Sequence, residues 1–155
     1  MSHIHEKVDF TVTVYIVHNK TVLLRMHDKL KIWLGPGGHI ELDEDPNQAA
    51  VREVKEEVGI DIVLADDGMK VRQFDQSGFK ALLPPRFLNR HKIKESHEHI
   101  DSVYFAKTEN NNISPAPGEA QTETHWFTKE ELNDPSYGIH ANVKYYAEKA
   151  LETLS

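Results

Sequence analysis

The sequence predicts a single α/β domain, since strand patterns and helix patterns alternate along a chain of suitable length. Residues 8–18 alternate apolar and polar side chains with the period of two that indicates a strand. Residues 46–58 carry the start and stop signals of a helix, and residues 141–154 repeat apolar side chains at helical spacing. With 155 residues, of which 39% are hydrophobic, residues 1–155 are expected to form one domain with a proper core.

The first strand is expected to continue into a hairpin. The polar residues 1–7 are expected to be a loose end, residues 19–20 to turn the chain, and residues 21–27 to form the partner strand. The Gly-Pro-Gly-Gly segment at 35–38 allows the backbone to approach a ligand closely, although an ordinary turn can have the same composition. Residues 39–41 are expected to return as a short strand.

The helix at 46–58 has a defined beginning and end. Asp45 can cap the free N–H groups of the first turn, and Gln48 stands where a capping box has Glu or Gln. Pro46 suits the first helical position. Gly59 can adopt the left-handed conformation that ends helices.

Three glutamates follow one side of this helix. At about 100° per residue, Glu53, Glu56 and Glu57 fall within an arc of roughly 100°. Carboxylates this close repel one another and destabilise a helix, so a cation is expected to compensate them. The alternative is a solvated acidic face, which is the commoner role of such a cluster.

The spacing of the flanking residues favours the cation. Residues 38–60 fill every fixed position of one motif, namely Gly38, Glu44, Arg52, Glu53, Glu56, Glu57 and Gly59, with apolar Val54 and Ile60. This pattern is that of the Nudix box, and the chain resembles the Nudix hydrolases. The resemblance implies a Nudix-type α/β/α sandwich, in which a mixed, curved β-sheet lies between the box helix and the C-terminal helix.

The resemblance also implies a chemistry. Nudix hydrolases cleave a diphosphate linked to a further group with Mg²⁺ or Mn²⁺, and such hard cations prefer oxygen ligands. The metal would neutralise and orient the diphosphate and lower the pKa of a bound water. The residues that the resemblance assigns as metal ligands are Glu53, Glu56, Glu57 and the carbonyl oxygen of Gly37. It assigns Arg52, with Glu44, to bracing the loop and the catalytic helix.

The chain after the helix is harder to interpret. Residues 60–64 alternate again and predict a strand, followed by a polar turn at 65–68. Residues 69–95 contain phenylalanines and a basic cluster, which fit either a meander with solvated lysines or a substrate pocket. A cationic island in an acidic chain favours the pocket, with Arg86 and Lys92 holding the phosphates of the substrate.

The strand predicted at 96–107 opens with His97, Glu98 and His99. The two histidines point the same way and could form a transition-metal pair. Because the sequence places no third imidazole or thiolate beside them, contacts with the phosphate or sugar of a substrate are favoured. Some Nudix enzymes take a metal ligand or general base from a glutamate outside the box. Glu98 is the first candidate for that role here, and Glu119 is the second.

The last part of the chain predicts a loop, a strand and two helices. Residues 109–118 are rich in Asn and Pro and indicate a loop, and residues 121–127 indicate a strand. Thr128 and Glu131 can form a capping box for a short helix at 129–133. The closing amphipathic helix follows.

Composition excludes several classes of function. A net charge of −7 argues against nucleic acid or an anionic membrane surface as a partner. The chain has no cysteine, so it has no disulfide framework and no thiolate nucleophile, which also disfavours the isopentenyl diphosphate isomerases that share the Nudix fold. No signal peptide or spanning segment is recognised. A cytoplasmic protein, monomeric or homodimeric, is therefore expected.

The expected reaction is hydrolysis of a phosphoanhydride in a nucleoside diphosphate linked to another group. A (deoxy)nucleoside triphosphate is slightly favoured as the substrate, because the chain lacks the longer extensions of dimeric sugar-nucleotide enzymes. ADP-ribose, a nucleotide sugar or a dinucleoside polyphosphate are the alternatives. A non-catalytic nucleotide sensor of the same fold usually loses box glutamates, and an acidic Ca²⁺-binding domain gives no reason for the spacing of the motif.

Overall fold

The computed structural model describes residues 6–66, 68 and 71–155. Its strands are β1 (Val8–His18), β2 (Thr21–Met26), β3 (Trp33–Leu34), β4 (Gly37–His39), β5 (Phe87–Lys94), β6 (His97–Lys107) and β7 (Thr124–Phe127). Its α-helices are α1 (Pro46–Val58), α2 (Lys129–Leu132) and α3 (Ala141–Leu154), and a 3₁₀ turn spans Pro135–Tyr137. The order of elements places α1 between β4 and β5.

The described strands form one mixed sheet of seven strands. Its main path has the order β3-β2-β1-β6-β5, with β4 paired to β1 and β7 paired to β2. β1 and β6 run parallel over ten residue pairs, while the other paired strands are antiparallel. β1 is therefore the strand that joins the two halves of the sheet.

Each face of the sheet carries its own apolar core. Along β1, Val12, Val14 and Ile16 face α1, whereas Tyr15 and Val17 face α3. This division follows from the period of two in a strand, which sends successive side chains to opposite faces. The predicted α/β/α sandwich is confirmed, with α1 on one side and α3 on the other.

Local signals predicted the first turn and the first helix correctly. Asn19 and Lys20 both have positive φ angles, 45° and 62°, as a tight hairpin turn requires. Asp45 caps α1 through the Gln48 N–H, and the complete capping box is present. Gly59 ends α1 in the left-handed conformation, at φ 76°.

The strand predicted at 60–64 is wrong. Only Leu64 bridges to β6, opposite Ala106, because β5 already occupies that edge of β6 as far as Val103. The alternating side chains reflect alternating burial, without the hydrogen-bond ladder of a strand. Ile62 is buried in the core on the α1 side, while Val63 is exposed.

Two further segments differ from expectation. The short strand predicted at 39–41 begins earlier and is β4. It pairs with β1 beside Thr11, because β2 leaves that part of the edge of β1 open. The second half of the segment 69–95 forms the edge strand β5, whose lysines are exposed. Most of the predicted loose end 1–7, part of the predicted turn 65–68 and the start of the segment 69–95 lie outside the described residues.

Within the described part of the chain, no helix combines the length and the apolar character needed to cross a membrane.

Candidate metal and catalytic site

The glycine-rich segment brings the backbone against the box helix. Gly37 and Gly38 lie on β4, opposite Thr13 and Val12 of β1. A β-carbon on Gly37 would collide with the Val12 carbonyl oxygen, and one on Gly38 would collide with the Glu53 carboxylate. Gly37 therefore requires glycine, because the backbone of β1 leaves no room for a side chain, and a side chain at Gly38 would displace the Glu53 carboxylate.

Arg52 connects the residues around the box. Its guanidinium donates to the two carboxylate oxygens of Glu44, at 2.6 and 3.0 Å. It also donates to Glu53 at 3.0 Å, to Glu56 at 3.1 Å and to the His39 carbonyl oxygen at 2.9 Å. The planar fork of N–H donors suits this many acceptors. Arg52 thus ties β4 and the loop before α1 to the helix itself.

Glu57 is held from the sheet. One carboxylate oxygen accepts a hydrogen bond from the Gly37 N–H at 2.7 Å, and the other accepts from Arg25 at 2.6 Å. Arg25 lies on β2 and its side chain is only 9% exposed. Because a buried guanidinium requires a partner of opposite charge, this pair fixes the end of the box helix against the sheet.

Two of the box glutamates, Glu53 and Glu57, have pKa values above those of ordinary glutamates. Burial, together with the charge of Glu57, raises the pKa of Glu53 to about 8 in spite of the hydrogen bond from Arg52. Burial likewise raises the pKa of Glu57 to about 7 in spite of Arg25. The two arginines therefore do not offset the desolvation and mutual repulsion of these carboxylates.

This donor set fits a divalent metal ion. Oε2 of Glu53 and Oε1 of Glu56 accept no hydrogen bond from any residue that the structure describes. Oxygen ligands with an excess of negative charge are what hard cations such as Mg²⁺ require. A bound cation would favour the ionised forms of Glu53 and Glu57, which burial alone disfavours.

Glu119, the second candidate outside the box, lies within electrostatic reach of the site. The loop that carries it is anchored to α1, since the Ala116 N–H donates to the Glu56 carbonyl oxygen at 2.8 Å. The charge of Glu119 contributes to the raised pKa of Glu57, after burial. The structure therefore brings Glu119 towards the box.

Glu98, the first candidate, is placed elsewhere. Both of its carboxylate oxygens accept hydrogen bonds from Arg90 of β5, each at 2.9 Å. Glu98 pairs with Val8 of β1, whereas Gly37 pairs with Thr13. That offset of five residues corresponds to about 16 Å along the strand.

Arg86 and Lys92 have different surroundings. Arg86 precedes β5 and lies over the ring of Phe105, 5.2 Å from its centroid. Lys92 lies further along the same edge strand, 3.9 Å from Glu95, with its side chain 60% exposed. Six residues of strand separate the two by about 20 Å, so one phosphate group cannot contact both. Their role in substrate binding stays a prediction.

His97 and His99 belong to a group of side chains on the sheet. His97 is 1% exposed, and its Nε2 lies 3.3 Å from a carboxylate oxygen of Asp9. The ring of His99 lies against His39, with centroids 5.0 Å apart. Sequence reasoning had not connected Asp9 or His39 with these histidines.

Arg25 was also missed as a functional residue. The sequence does contain a signal for it, because Arg25 follows the apolar run 22–24 within a strand. An arginine in that position needs a partner of opposite charge if it is buried. The partner is 32 residues away, and no local pattern identifies it.

Comparison with known proteins identifies the family. The model of the NUDIX domain matches residues 7–148. The chain belongs to the Nudix hydrolases. A Nudix hydrolase from Clostridium perfringens is 36% identical, with a TM-score of 0.81 over 95% of this chain and 98% of that one. The resemblance inferred from the box is therefore confirmed.

Two other Nudix relatives either match a smaller part of this chain or have a lower sequence identity to it. The m7GpppN-mRNA hydrolase NUDT17 of Xenopus laevis is 33% identical over 90 residues, which are 56% of this chain and 30% of that protein. This Nudix hydrolase thus matches less than a third of the length of that relative. The Ap4A hydrolase of C. elegans is 20% identical, with a TM-score of 0.63 over 96% of this chain and 99% of that one, and indicates the fold alone.

Proposed function

We propose that this Nudix hydrolase cleaves a phosphoanhydride bond in a nucleoside diphosphate linked to another group, using Mg²⁺ or Mn²⁺. The observation that carries the proposal is the convergence of Glu53 and Glu57 on the backbone of Gly37 and Gly38, where both carboxyl groups have raised pKa values. Such concentrated negative charge suits a cation, and a diphosphate needs a cation before a nucleophile can approach it.

Some side chains of the site would hold the metal ion, and others position those side chains. Glu53, Glu56 and Glu57 would hold the divalent ion. When bound, the ion supplies positive charge against the diphosphate and makes water more acidic. Arg52 fixes the first two carboxylates relative to β4, and Arg25 fixes the third relative to β2. This fixed geometry avoids reorganisation during the reaction.

Glu119 is proposed as the group that accepts the proton of the attacking water. Its charge acts on Glu57, and its loop is bonded to α1, so it can be positioned with the box. Glu98 is the alternative, although Arg90 already holds both of its oxygens.

The proposed substrate class is a nucleoside attached to a polyphosphate. The name of the mRNA cap hydrolase among the relatives supports this class, since its substrate contains that unit. A (deoxy)nucleoside triphosphate is the first substrate to test. ADP-ribose, a nucleotide sugar and a dinucleoside polyphosphate are the second group.

The experiment is a panel of these compounds, with a capped dinucleotide, incubated with Mg²⁺ or Mn²⁺ and resolved by chromatography. We expect turnover of at least one, with a kcat lowered about 100-fold or more in Glu56→Gln and Glu57→Gln. Glu130→Gln, an exposed glutamate of α2, is the matched control and should retain activity. Turnover that survives both box substitutions would contradict the metal site, and binding without turnover in the unaltered protein would favour a nucleotide sensor.

The same assay distinguishes the two outer glutamates. Glu119→Gln should lower kcat with little change in KM, while Glu98→Gln should change neither. The reverse result would assign the role to Glu98. Substitution of Arg86 or Lys92 by Ala should raise KM if either side chain holds the substrate, and an unchanged KM for every substrate found would remove both from the binding site.

A further inference from the structure

A second group of metal-binding side chains lies on the sheet, outside the box. Asp9 of β1, His39 of β4 and His99 of β6 each offer one ligand atom, and these atoms all lie within 4.8 Å of one another. The Nε2 atom of His97, also on β6, lies 3.3 Å from Oδ2 of Asp9. These four residues are called the histidine cluster below.

The register of the sheet assembles the cluster. Asp9 pairs directly with His99 across the parallel β1–β6 ladder. His97 lies two residues before His99 and so points to the same face. His39 pairs with Thr11, which is the next residue of β1 on that face. Three strands thus supply the third imidazole and the carboxylate that the His97–His99 pair lacked in the sequence.

We propose that the histidine cluster binds a first-row transition-metal dication, for which Zn²⁺ is the representative ion, separately from the cation of the box. Imidazole nitrogens with one carboxylate suit Zn²⁺ and its neighbours, whereas Mg²⁺ prefers a shell of oxygens alone. The two metal sites therefore differ in their chemistry, one built from glutamates and one from histidines.

Three of these side chains lie close enough to share one ion. Nε2 of His39 lies 3.2 Å from Oδ2 of Asp9, near the separation of about 3.4 Å between ligand atoms in tetrahedral zinc sites with bonds of about 2.0–2.1 Å. The ligand atom of His99 lies within 4.8 Å of those of Asp9 and His39. His97 stands outside this group of three, and its Nε2 lies 3.3 Å from Oδ2 of Asp9.

The hydrogen bond of His97 fixes the orientation of its ring. Nδ1 lies 3.0 Å from the Glu6 carbonyl oxygen, which can only accept, so Nδ1 carries the hydrogen. Nε2 therefore faces Oδ2 of Asp9, 3.3 Å away. His97 thus helps to hold the Asp9 carboxylate in the position from which it would bind the ion.

Burial favours a metal ion in this position. Asp9 and His97 are each 1% exposed, and His39 is 8% exposed. The side chains that would surround the ion are thus held inside the protein, where few water molecules compete with them as ligands.

The test uses untagged protein stripped with a chelator and titrated with Zn²⁺ in excess Mg²⁺, which occupies the box. We expect one Zn²⁺ per chain by calorimetry, and with Co²⁺ the visible absorption of a tetrahedral site with nitrogen ligands. His39→Gln and His99→Gln should each weaken Zn²⁺ binding by about 10- to 100-fold or more. His99 is only partly buried, so its substitution keeps the test valid if the other variant fails to fold.

Two control variants and the box variant Glu56→Gln keep the result specific. His18→Gln alters a histidine at the other end of β1 and should leave Zn²⁺ binding unchanged. The double variant His3→Gln/His5→Gln removes the other imidazoles near the amino terminus and should also leave it unchanged. Zn²⁺ binding that is lost with Glu56→Gln or with the double variant, but kept in His99→Gln, would overturn the proposal. An absence of Zn²⁺ binding to the unaltered protein would overturn it as well.

Discussion

At the scale of single residues, two arginines determine how the box glutamates are arranged. Arg52 could be chosen from the sequence, because it occupies a fixed position of the motif one helical turn before Glu56. Arg25 could not, because its contact with Glu57 exists only once β2 and α1 have met. The residues named from the motif are therefore local in sequence, and the residue that was missed reaches the site through the tertiary fold.

The pair of Glu44 and Arg52 predicts a pH-dependent contribution to stability. The hydrogen bond from Arg52 lowers the pKa of Glu44 below its ordinary value of 4.5. A carboxyl group whose pKa is lower in the folded state stabilises the protein above the unfolded pKa, and this stability is lost as the pH falls through the folded pKa. Glu44→Gln should therefore lower the free energy of unfolding by about 1–3 kcal/mol at pH 7.

The measurement is urea unfolding of both proteins at several pH values. The difference between them should persist down to about pH 4.5 and shrink below it. Glu41→Gln is the matched control, since the Glu41 carboxylate is 4.0 Å from Arg52 and half exposed. A constant difference for Glu44→Gln down to low pH would contradict the assigned cause.

At the scale of elements, those with local signals were predicted and those defined by their partners were not. The capping residues and the terminal glycine of α1 were sufficient to give its limits, because each acts within one turn. Residues 60–64 have the side-chain pattern of a strand but lack a free edge to pair with. The edge strand β5 has no clear alternation, since it is exposed along most of its length.

The end of α1 gives a prediction for Gly59→Ala. Gly59 has a φ of 76°, and a β-carbon there would also collide with the Ser114 carbonyl oxygen of the loop that leads to Glu119. The strained backbone alone costs about 1 kcal/mol, and the collision adds to it. We expect a loss of about 2–4 kcal/mol in the free energy of unfolding, together with reduced activity.

Gly138→Ala separates the two contributions. Gly138 has a similar φ of 64°, but a β-carbon there meets no atom within 4 Å. Its substitution should cost only the backbone strain, about 1 kcal/mol, with activity unchanged. Equal losses in thermal or urea unfolding for the two variants would exclude the contact with Ser114 as a cause.

At the scale of the whole molecule, the box helix is one layer of a sandwich, and its charged side faces the rim of the sheet. The resemblance of the box to that of the Nudix family predicts this architecture, and the family match over residues 7–148 confirms the resemblance. The histidine cluster was beyond that reasoning, because it depends on the register of three strands. No local sequence pattern specifies the register between two strands that are far apart in the chain.

Binding of a divalent ion should stabilise the entire domain. A ligand that binds only the folded state adds about 2.7 kcal/mol at a concentration of 100 Kd, which raises the melting temperature of a domain of this size by several degrees. We expect Mg²⁺ or Mn²⁺ to produce this shift in the unaltered protein and Glu56→Gln to lose most of it. The measurement is differential scanning calorimetry at constant ionic strength, and an equal shift in the variant would place the ion elsewhere.

The parallel pairing of β1 with β6 has a consequence for biosynthesis. Partners about 90 residues apart, such as Phe10 and Ile100, cannot meet until β6 has left the ribosome. Translation adds roughly 5–20 residues per second, so the apolar side chains of β1 lack their neighbours on β6 for about 5–20 s. Nascent chains of this protein should therefore depend on chaperones that shield an amino-terminal strand during translation, and shortened chains that end before β6 should aggregate.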